Sequence, residues 1–368
     1  MQTKNHKFII SGGGTGGHVF PAIAIANALK KNCPEADILF VGANGRMEMD
    51  KVPEAGYKII GLNISGLRRS LSLQNIATLF KLLSSLQKAK KIIRQFKPDA
   101  VVGVGGYASG PVLRIAASQK IPTLIQEQNS YPGITNKILS KKVNKICVAY
   151  EGMEKFFPKE KIILTGNPVR QDMTILQGKR EPGRKFFGLD NTRKTILVVG
   201  GSLGARTINN AIIEKLELFK QSNIQLIWQT GKTFFETAQK ACEKYKDSGI
   251  TCHAFISKMD YAYAAADVIV SRAGAIAISE ICLVGKPAIL VPSPNVTEDH
   301  QTKNALALSE NDAAILVKDA EAAEKLADQA ISLLQEEEYA ARLSRNIARF
   351  AHKDVADRIA SIILEMIK

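Results

Sequence analysis

The sequence predicts two α/β domains, each built on a doubly wound parallel sheet, and three observations carry that prediction. Short, almost continuously apolar runs alternate with helix-period patterns through the first half. The same rhythm restarts near residue 194 with a second strand, Gly-rich turn and helix. Between them, from "ILTGNPVR" (Ile163–Arg170) to Thr195, Gly, Pro and charged residues dominate, as they do in a linker. A chain of 368 residues holds two domains of ordinary size.

In order, "KFIISGG" reads as a strand, followed by a helix from about Pro21 to Lys31 and the strand "ADILFVGA". "DAVVGVGG", "PTLIQEQ" and "KICVAY" are the further strands of the first half. The second half opens with "KTILVVGGSLGARTINNAII" and continues through "IQLIWQTG", "ITCHAFI", "DVIVSRAG" and "PAILVPS". A last apolar-periodic segment, Ala340 to Ile367, reads as helix with a break near His352–Lys353.

Composition narrows the class. Hydrophobic residues make up 45% of the chain, so sizeable cores are expected and disorder is not. The polar opening "MQTKNHKF" reads as no export signal, and no run of apolar residues is long enough to span a membrane. The 5 cysteines are scattered with no CxxC pair, which reads as reduced cytosolic thiols, and no histidine cluster suggests a metal site. The net charge of +15 is lopsided: residues 1–168 hold 24 Lys+Arg against 10 Asp+Glu, and the remainder 26 against 25. An anionic partner of the first domain is therefore expected.

Five of the six residues Gly12–Gly17 are glycine, more than a tight turn needs. At a strand-to-helix turn they let backbone N–H groups approach a ligand, and the helix start favours an anion there. Gly12-x-Gly14-x-x-Gly17 matches the dinucleotide fingerprint, but the second strand ends "FVGANG" without the acid that would hold a ribose. No Gly-Lys-Ser/Thr follows either turn, so a P-loop is excluded as well. His18 then opens the helix; it reads either as a cap on the turn or as a neutral general base. The second turn, Gly200-Gly201-Ser202-Leu203-Gly204-Ala205, suits a diphosphate without a metal. In "SRAGAIAISE", Glu280 is either a solvated helix residue or a carboxylate accepting both hydroxyls of a ribose. "EDHQTKNA" offers His300, Gln301 and Asn304 to sugar hydroxyls.

Taken together, "GGTGGHVFPA", "GVGGYASGP", "EQNSYPGITNK", "TGNPVR", "GGSLGAR" and "SRAGAIAISE" resemble the MurG family of peptidoglycan N-acetylglucosaminyltransferases, within glycosyltransferase family 28. The resemblance covers essentially the whole chain. It implies a GT-B fold, two Rossmann-like domains facing a cleft. The expected divisions are 1–168 for the acceptor- and membrane-facing domain, 169–345 for the UDP-GlcNAc domain, and 346–368 for a helix returning to the first domain. It implies inverting transfer of GlcNAc from UDP-GlcNAc to the C4 hydroxyl of MurNAc in undecaprenyl-diphospho-MurNAc-pentapeptide, lipid I to lipid II, with no cofactor or bound metal.

Residue by residue, the resemblance places Thr15, Gly16 and Gly17 at the donor sugar or acceptor diphosphate, with Gly14 and Tyr107 on the acceptor side. Asn129 matches a donor-binding asparagine, Arg170 a phosphate-side arginine and Ser202 a diphosphate-loop serine. Ile256 is similar to a residue whose backbone reads uracil, and Gln301 to a sugar-contacting glutamine. Ala275, Ile276, Ala277, Ile278, Ser279 and Glu280 resemble the nucleoside segment. Many members read His-Glu-Gln-Asn where this chain has Gln126-Glu127-Gln128-Asn129, which leaves His18 and Glu127 as the catalytic candidates. Many also carry two adjacent glutamines where this chain has His300-Gln301.

No acid occurs between Ala55 and Pro98, a stretch carrying Arg68, Arg69, Lys81, Lys88, Lys90, Lys91, Arg94 and Lys97 around Ile76, Leu79, Phe80, Leu83 and Leu86. That pattern reads equally as a core-facing helix with solvated charges or as a surface for an anionic membrane. The second reading puts the protein peripherally on the cytoplasmic face of the inner membrane, where the resemblance also places other cell-wall synthesis proteins. Three rivals remain: another GT-B enzyme such as a UDP-GlcNAc epimerase, a nucleic-acid-binding protein, and an NAD-dependent oxidoreductase. The "GGTGGH" loop, "GGYASGP" and the "EQN" segment disfavour the first, the single Trp and absent recognition motif the second, and the missing ribose acid the third.

Overall fold

The computed structural model describes residues 5–65, 73–169, 175–201, 204–296 and 299–368, with side chains from residue 80 onward in the helix Leu73–Phe96. The chain divides into two compact units, Met1–Arg170 with Asp354–Lys368, and Gln171–Lys353.

The first unit's sheet has seven strands: β1 (Lys7–Ser11), β2 (Asp37–Ala43), β3 (Lys58–Leu62), β4 (Ala100–Gly103), β5 (Thr123–Glu127), β6 (Lys145–Val148) and β7 (Ile162–Leu164). Their order is β3-β2-β1-β4-β5-β6-β7, and every pairing is parallel. The second unit's six strands are β8 (Thr195–Val199), β9 (Gln225–Gln229), β10 (Ile250–His253), β11 (Val268–Ser271), β12 (Ala288–Leu290) and β13 (Ile315–Leu316). They run β10-β9-β8-β11-β12-β13, again all parallel. In both sheets the strand order reverses beside the first strand, between β1 and β4 and between β8 and β11. Such a reversal opens a crevice at the carboxyl ends of the strands. Both Gly-rich turns leave the sheet there.

Burial explains the apolar strands. Phe8 and Ile10 face one core with Ile25 and Leu29, while Ile9 faces the other with Val112 and Leu113. With helices on both faces, neither face of β1 meets water, so its sequence does not alternate. In the second unit, Ile196 and Val198 face one core and Leu197 the other. Trp228 of β9 is fully buried, and its indole N–H donates to Asn209 Oδ1 at 3.0 Å. Asn209 Nδ2 in turn donates to the Thr230 carbonyl at 2.8 Å, so the buried polar atoms are matched.

The last segment serves both units. The helix Glu337–Ala348 sets Leu343 and Ile347 into the second unit's two cores. The helix Val355–Glu365 buries Val355, Ile359, Ala360 and Ile363 against the first unit's sheet, and Lys31 donates to Asp357 at 3.0 Å. Each such aliphatic side chain contributes about 1.5–3 kcal/mol. The part belonging to the first unit begins at Asp354, later than the sequence reading put it, because the 337–348 stretch carries its own apolar stripe for the second unit.

Candidate active site

In the first unit the candidate residues gather at the turn between β1 and the helix Gly16–Asn32. Thr15 is extended and its carbonyl accepts from the N–H groups of His18 and Val19, both at 3.1 Å. The N–H groups of Gly16 and Gly17 lie in the first turn, where no intrahelical acceptor exists. Gly13 and Gly14 have φ of +148° and +91°.

His18 lies in that first helical turn, half-buried. Its Nδ1 is 3.1 Å from the Gly13 carbonyl and 3.3 Å from Thr15 Oγ1. A carbonyl only accepts, so the bond to Gly13 places the proton on Nδ1 and makes Nε2 the basic nitrogen of the neutral ring. Nε2 points at the second glycine turn, after β4: a Cβ on Gly105 would lie 2.7 Å from it. Gly105 also has φ +95°, where L side chains are strained. Gly105→Ala is therefore expected to cost about 1–2 kcal/mol of stability and to displace the ring. A thermal melt and a kcat measurement on the same sample check both effects; an unchanged kcat would show that Nε2 has no need of that space. Tyr107, exposed, follows in the same turn.

At the end of β5, Glu127 is 2% exposed. Its Oε1 accepts from the Asn129 N–H (3.1 Å) and Asn129 Nδ2 (3.3 Å). Its Oε2 accepts from the Gly133 N–H (3.1 Å) and Asn136 Nδ2 (2.8 Å). Burial pushes its pKa up, and these four hydrogen bonds offset that only in part. The carboxylate thus shapes the loop that presents Asn129. Gln126 is fully buried and donates to Asn167 Oδ1 at 2.8 Å; Gln128 Nε2 donates to the Val104 carbonyl at 2.8 Å. Gln126, where the resemblance leads one to expect histidine, is an interior position, part of an amide network that ties β4, β5 and the segment after β7.

In the second unit the candidate residues gather around the turn after β8. Gly201 and Gly204 both have positive φ, +83° and +81°, ahead of the helix Arg206–Ile213. Ser202 lies outside the described residues, as does Arg170. Gln229, which ends β9 and is buried, donates through Nε2 to the Gly201 carbonyl (3.1 Å) and accepts at Oε1 from the Ile256 N–H (2.9 Å). It joins the glycine turn after β8 to Ile256. The helix Ala275–Val284 buries Ala275 and Ile278 in the core, so those two have only backbone to offer a ligand. Ile276, Ala277, Ser279 and Glu280 are half-buried. Ser279 Oγ donates back to the Ala275 carbonyl at 2.9 Å, and Glu280 Oε2 accepts from the Tyr263 hydroxyl at 3.2 Å. Gln301 accepts from the Ser293 N–H at 2.9 Å, holding the β12 exit against the helix His300–Ser309.

Asn304 departs from expectation. It is fully buried and donates to the Ala273 carbonyl at 3.4 Å, so it supports the β11 turn and has no surface for a sugar. Sequence reasoning also missed three residues that hold the turns. Glu48 accepts from the Gly14 N–H at 2.8 Å. Gln229 is a polar residue closing an apolar strand, which was the available signal. Arg272 donates through Nη1 to the Val291 (3.0 Å) and Pro292 (3.2 Å) carbonyls and pairs with Asp319.

Comparison with known proteins bears on this arrangement. Residues 8–148 match the glycosyltransferase family 28 N-terminal domain and residues 195–359 its C-terminal domain. A relative from Parabacteroides distasonis, the UDP-N-acetylglucosamine–N-acetylmuramyl-(pentapeptide) pyrophosphoryl-undecaprenol N-acetylglucosamine transferase, is 57% identical over 364 residues, 99% of each chain. The crystal structure of Acinetobacter baumannii MurG aligns with a TM-score of 0.77 at 28% identity, covering 98% of this chain and 99% of that one. A UDP-GlcNAc 2-epimerase from Neisseria meningitidis, 17% identical over 98% of this chain and all of its own, shares the fold with a TM-score of 0.66. With both family domains matched in order and a relative identical at more than half its positions from end to end, the chain belongs to glycosyltransferase family 28.

Proposed function

We propose that this chain transfers GlcNAc from UDP-GlcNAc to the C4 hydroxyl of MurNAc in undecaprenyl-diphospho-MurNAc-pentapeptide, inverting the anomeric centre. The observation that carries the reading is the match at 57% identity, along 99% of both chains, to a relative named for that transfer. The site's chemistry agrees with it. Inverting transfer is one displacement through an oxocarbenium-like transition state, in which a base takes the incoming hydroxyl's proton as UDP departs. His18, with its proton on Nδ1, presents Nε2 as that base. Glu127, with two donors on each oxygen, holds Asn129 for the donor sugar.

On the leaving-group side, the Gly200–Ala205 turn and the start of the helix Arg206–Ile213 supply N–H groups to the diphosphate; Arg170 and Ser202, outside the described residues, are the side chains that the family resemblance assigns to the phosphates. Each preorganised donor of this kind contributes about 3–4 kcal/mol to a developing charge. Glu280 takes the ribose hydroxyls, the Ile256 segment the uracil, and Gln301 the sugar.

The first unit carries the lipid-linked acceptor and rests on an anionic membrane. Phe80 (67%) and Leu83 (50%) are exposed on the helix Leu73–Phe96 beside exposed Lys81, while Ala89, Ile92 and Ile93 of the same helix face the core. Arg68 and Arg69 lie outside the described residues, as do the side chains of Ile76 and Leu79. Ile134 and Ile138 are exposed on a second short helix with Lys137 between them. Basic residues beside exposed apolar ones suit a lipid surface, at about 1 kcal/mol per nearby Lys or Arg. No described helix is long and apolar enough to cross a membrane. Contact there places the protein peripherally on the cytoplasmic leaflet, within reach of other cell-wall enzymes.

The test is turnover of UDP-GlcNAc with and without a soluble lipid I analogue. Acceptor-dependent formation of a β-linked disaccharide and free UDP is expected. Consumption of UDP-GlcNAc without acceptor, giving its C2 epimer, would replace the transferase reading with the epimerase one.

A further inference from the structure

We propose that Glu48 is a positioning residue for the transfer: through one peptide unit of the Gly-rich turn it fixes which ring nitrogen of His18 carries the proton. The inference rests on the reading of His18 as the base.

Glu48 opens the helix Glu48–Glu54, just after β2, and is 1% exposed. Its Oε1 accepts from the Ala43 N–H at 3.0 Å and its Oε2 from the Gly14 N–H at 2.8 Å. Glycines make room for it on two sides. A Cβ on Gly13 would overlap its carboxyl group, and one on Gly42 would lie 2.6 Å from its Cγ. Burying a carboxylate costs several kcal/mol unless its oxygens are hydrogen-bonded, and here each oxygen has one backbone donor. Stability alone gives no reason to keep an acid directly beneath a turn built to attract anions.

The peptide between Gly13 and Gly14 supplies the reason. Its N–H belongs to Gly14 and its C=O to Gly13. No peptide bond among the described residues is cis, so these two groups point in opposite directions within one plane. Glu48 holds the N–H, and on the other side the C=O accepts from His18 Nδ1 at 3.1 Å. Flanked by two glycines at positive φ, this plane flips at little steric cost once the carboxylate is gone. A flipped unit turns its N–H toward Nδ1. The ring then places its proton on Nε2, and the nitrogen that must take the acceptor's proton no longer has a lone pair. The logic matches that of a carboxylate orienting a catalytic histidine, with a peptide interposed.

Glu48→Gln keeps the size of the side chain but cannot accept at both ends. It is expected to lower kcat at least tenfold at saturating UDP-GlcNAc and lipid I analogue, with KM for UDP-GlcNAc unchanged. Combined with His18→Ala it should add less than twofold, because both changes remove the same base. Long-range ¹H–¹⁵N NMR on histidine-labelled protein reads the tautomer directly: Nδ1–H in the wild type, a mixture or Nε2–H in Glu48→Gln. Gly42→Ala, which leaves the carboxylate in place but pushes it aside, should reproduce both effects. A folded Glu48→Gln with wild-type kcat overturns the proposal, and so does an Nε2–H tautomer in the wild type, even if neither variant folds. Failure of the function itself is separate: it appears as wild-type protein that transfers no GlcNAc, whatever the tautomer.

Discussion

His18→Ala is expected to lower kcat for GlcNAc transfer by ~10²–10⁴, the range a positioned general base contributes. KM for UDP-GlcNAc should stay within about twofold, since the groups proposed to bind the nucleotide belong to the second unit and the lost interaction arises only as the proton moves. The fold should persist, because the imidazole is half-buried at a turn and lies outside the packed cores. Two measurements support the assignment together. One is kcat at saturation of both substrates. The other is the pH profile, whose acid limb reports protonation of the base and should vanish in the variant. A loss below about tenfold, with the acid limb intact, would remove His18 from proton transfer and turn attention to whatever else meets the hydroxyl.

Much of this was legible in the sequence, and the parts that were not have physical reasons. β1, β2 and β8 stood out because strands buried on both faces read as unbroken apolar runs. β7 reads as linker because it is three residues long and runs directly into the Gly-Pro segment before Arg170. β13, two residues long, has no period to detect. β3 is interrupted by Gly61, where a Cβ would overlap Asn44. The glycines and His18 were visible as chemistry, whereas Glu48 and Gln229 were not. A residue that acts by holding another's backbone leaves no spacing signature; only the three-dimensional pairing of the Glu48 carboxylate with the Gly14 N–H reveals it. Glu127 shows the converse. The motif makes it a catalytic candidate, and only the structure shows the four donors on its two oxygens that fix the loop around Asn129.

Glu280→Ala should raise KM for UDP-GlcNAc by about tenfold to a hundredfold. Hydrogen bonds to a charged acceptor are worth about 1.5–3 kcal/mol each, and two ribose hydroxyls on one carboxylate make such a loss substantial. The side chain sits half-buried on the helix Ala275–Val284, steadied by the Tyr263 hydroxyl at 3.2 Å. Tyr263 itself is buried, so the carboxylate is preorganised from behind and spends little entropy when the ribose arrives. Two comparisons separate ribose binding from a general weakening of the helix. Tyr263→Phe removes the brace but leaves the charge, and should raise KM less than Glu280→Ala does. The 2′-deoxyuridine analogue of the donor should bind more weakly than UDP-GlcNAc to the wild type, yet be nearly indistinguishable from it in Glu280→Ala, because the group that tells them apart is gone. If the variant still prefers the ribose donor by the wild-type margin, the 2′-hydroxyl is read elsewhere and Glu280 is an ordinary helix residue.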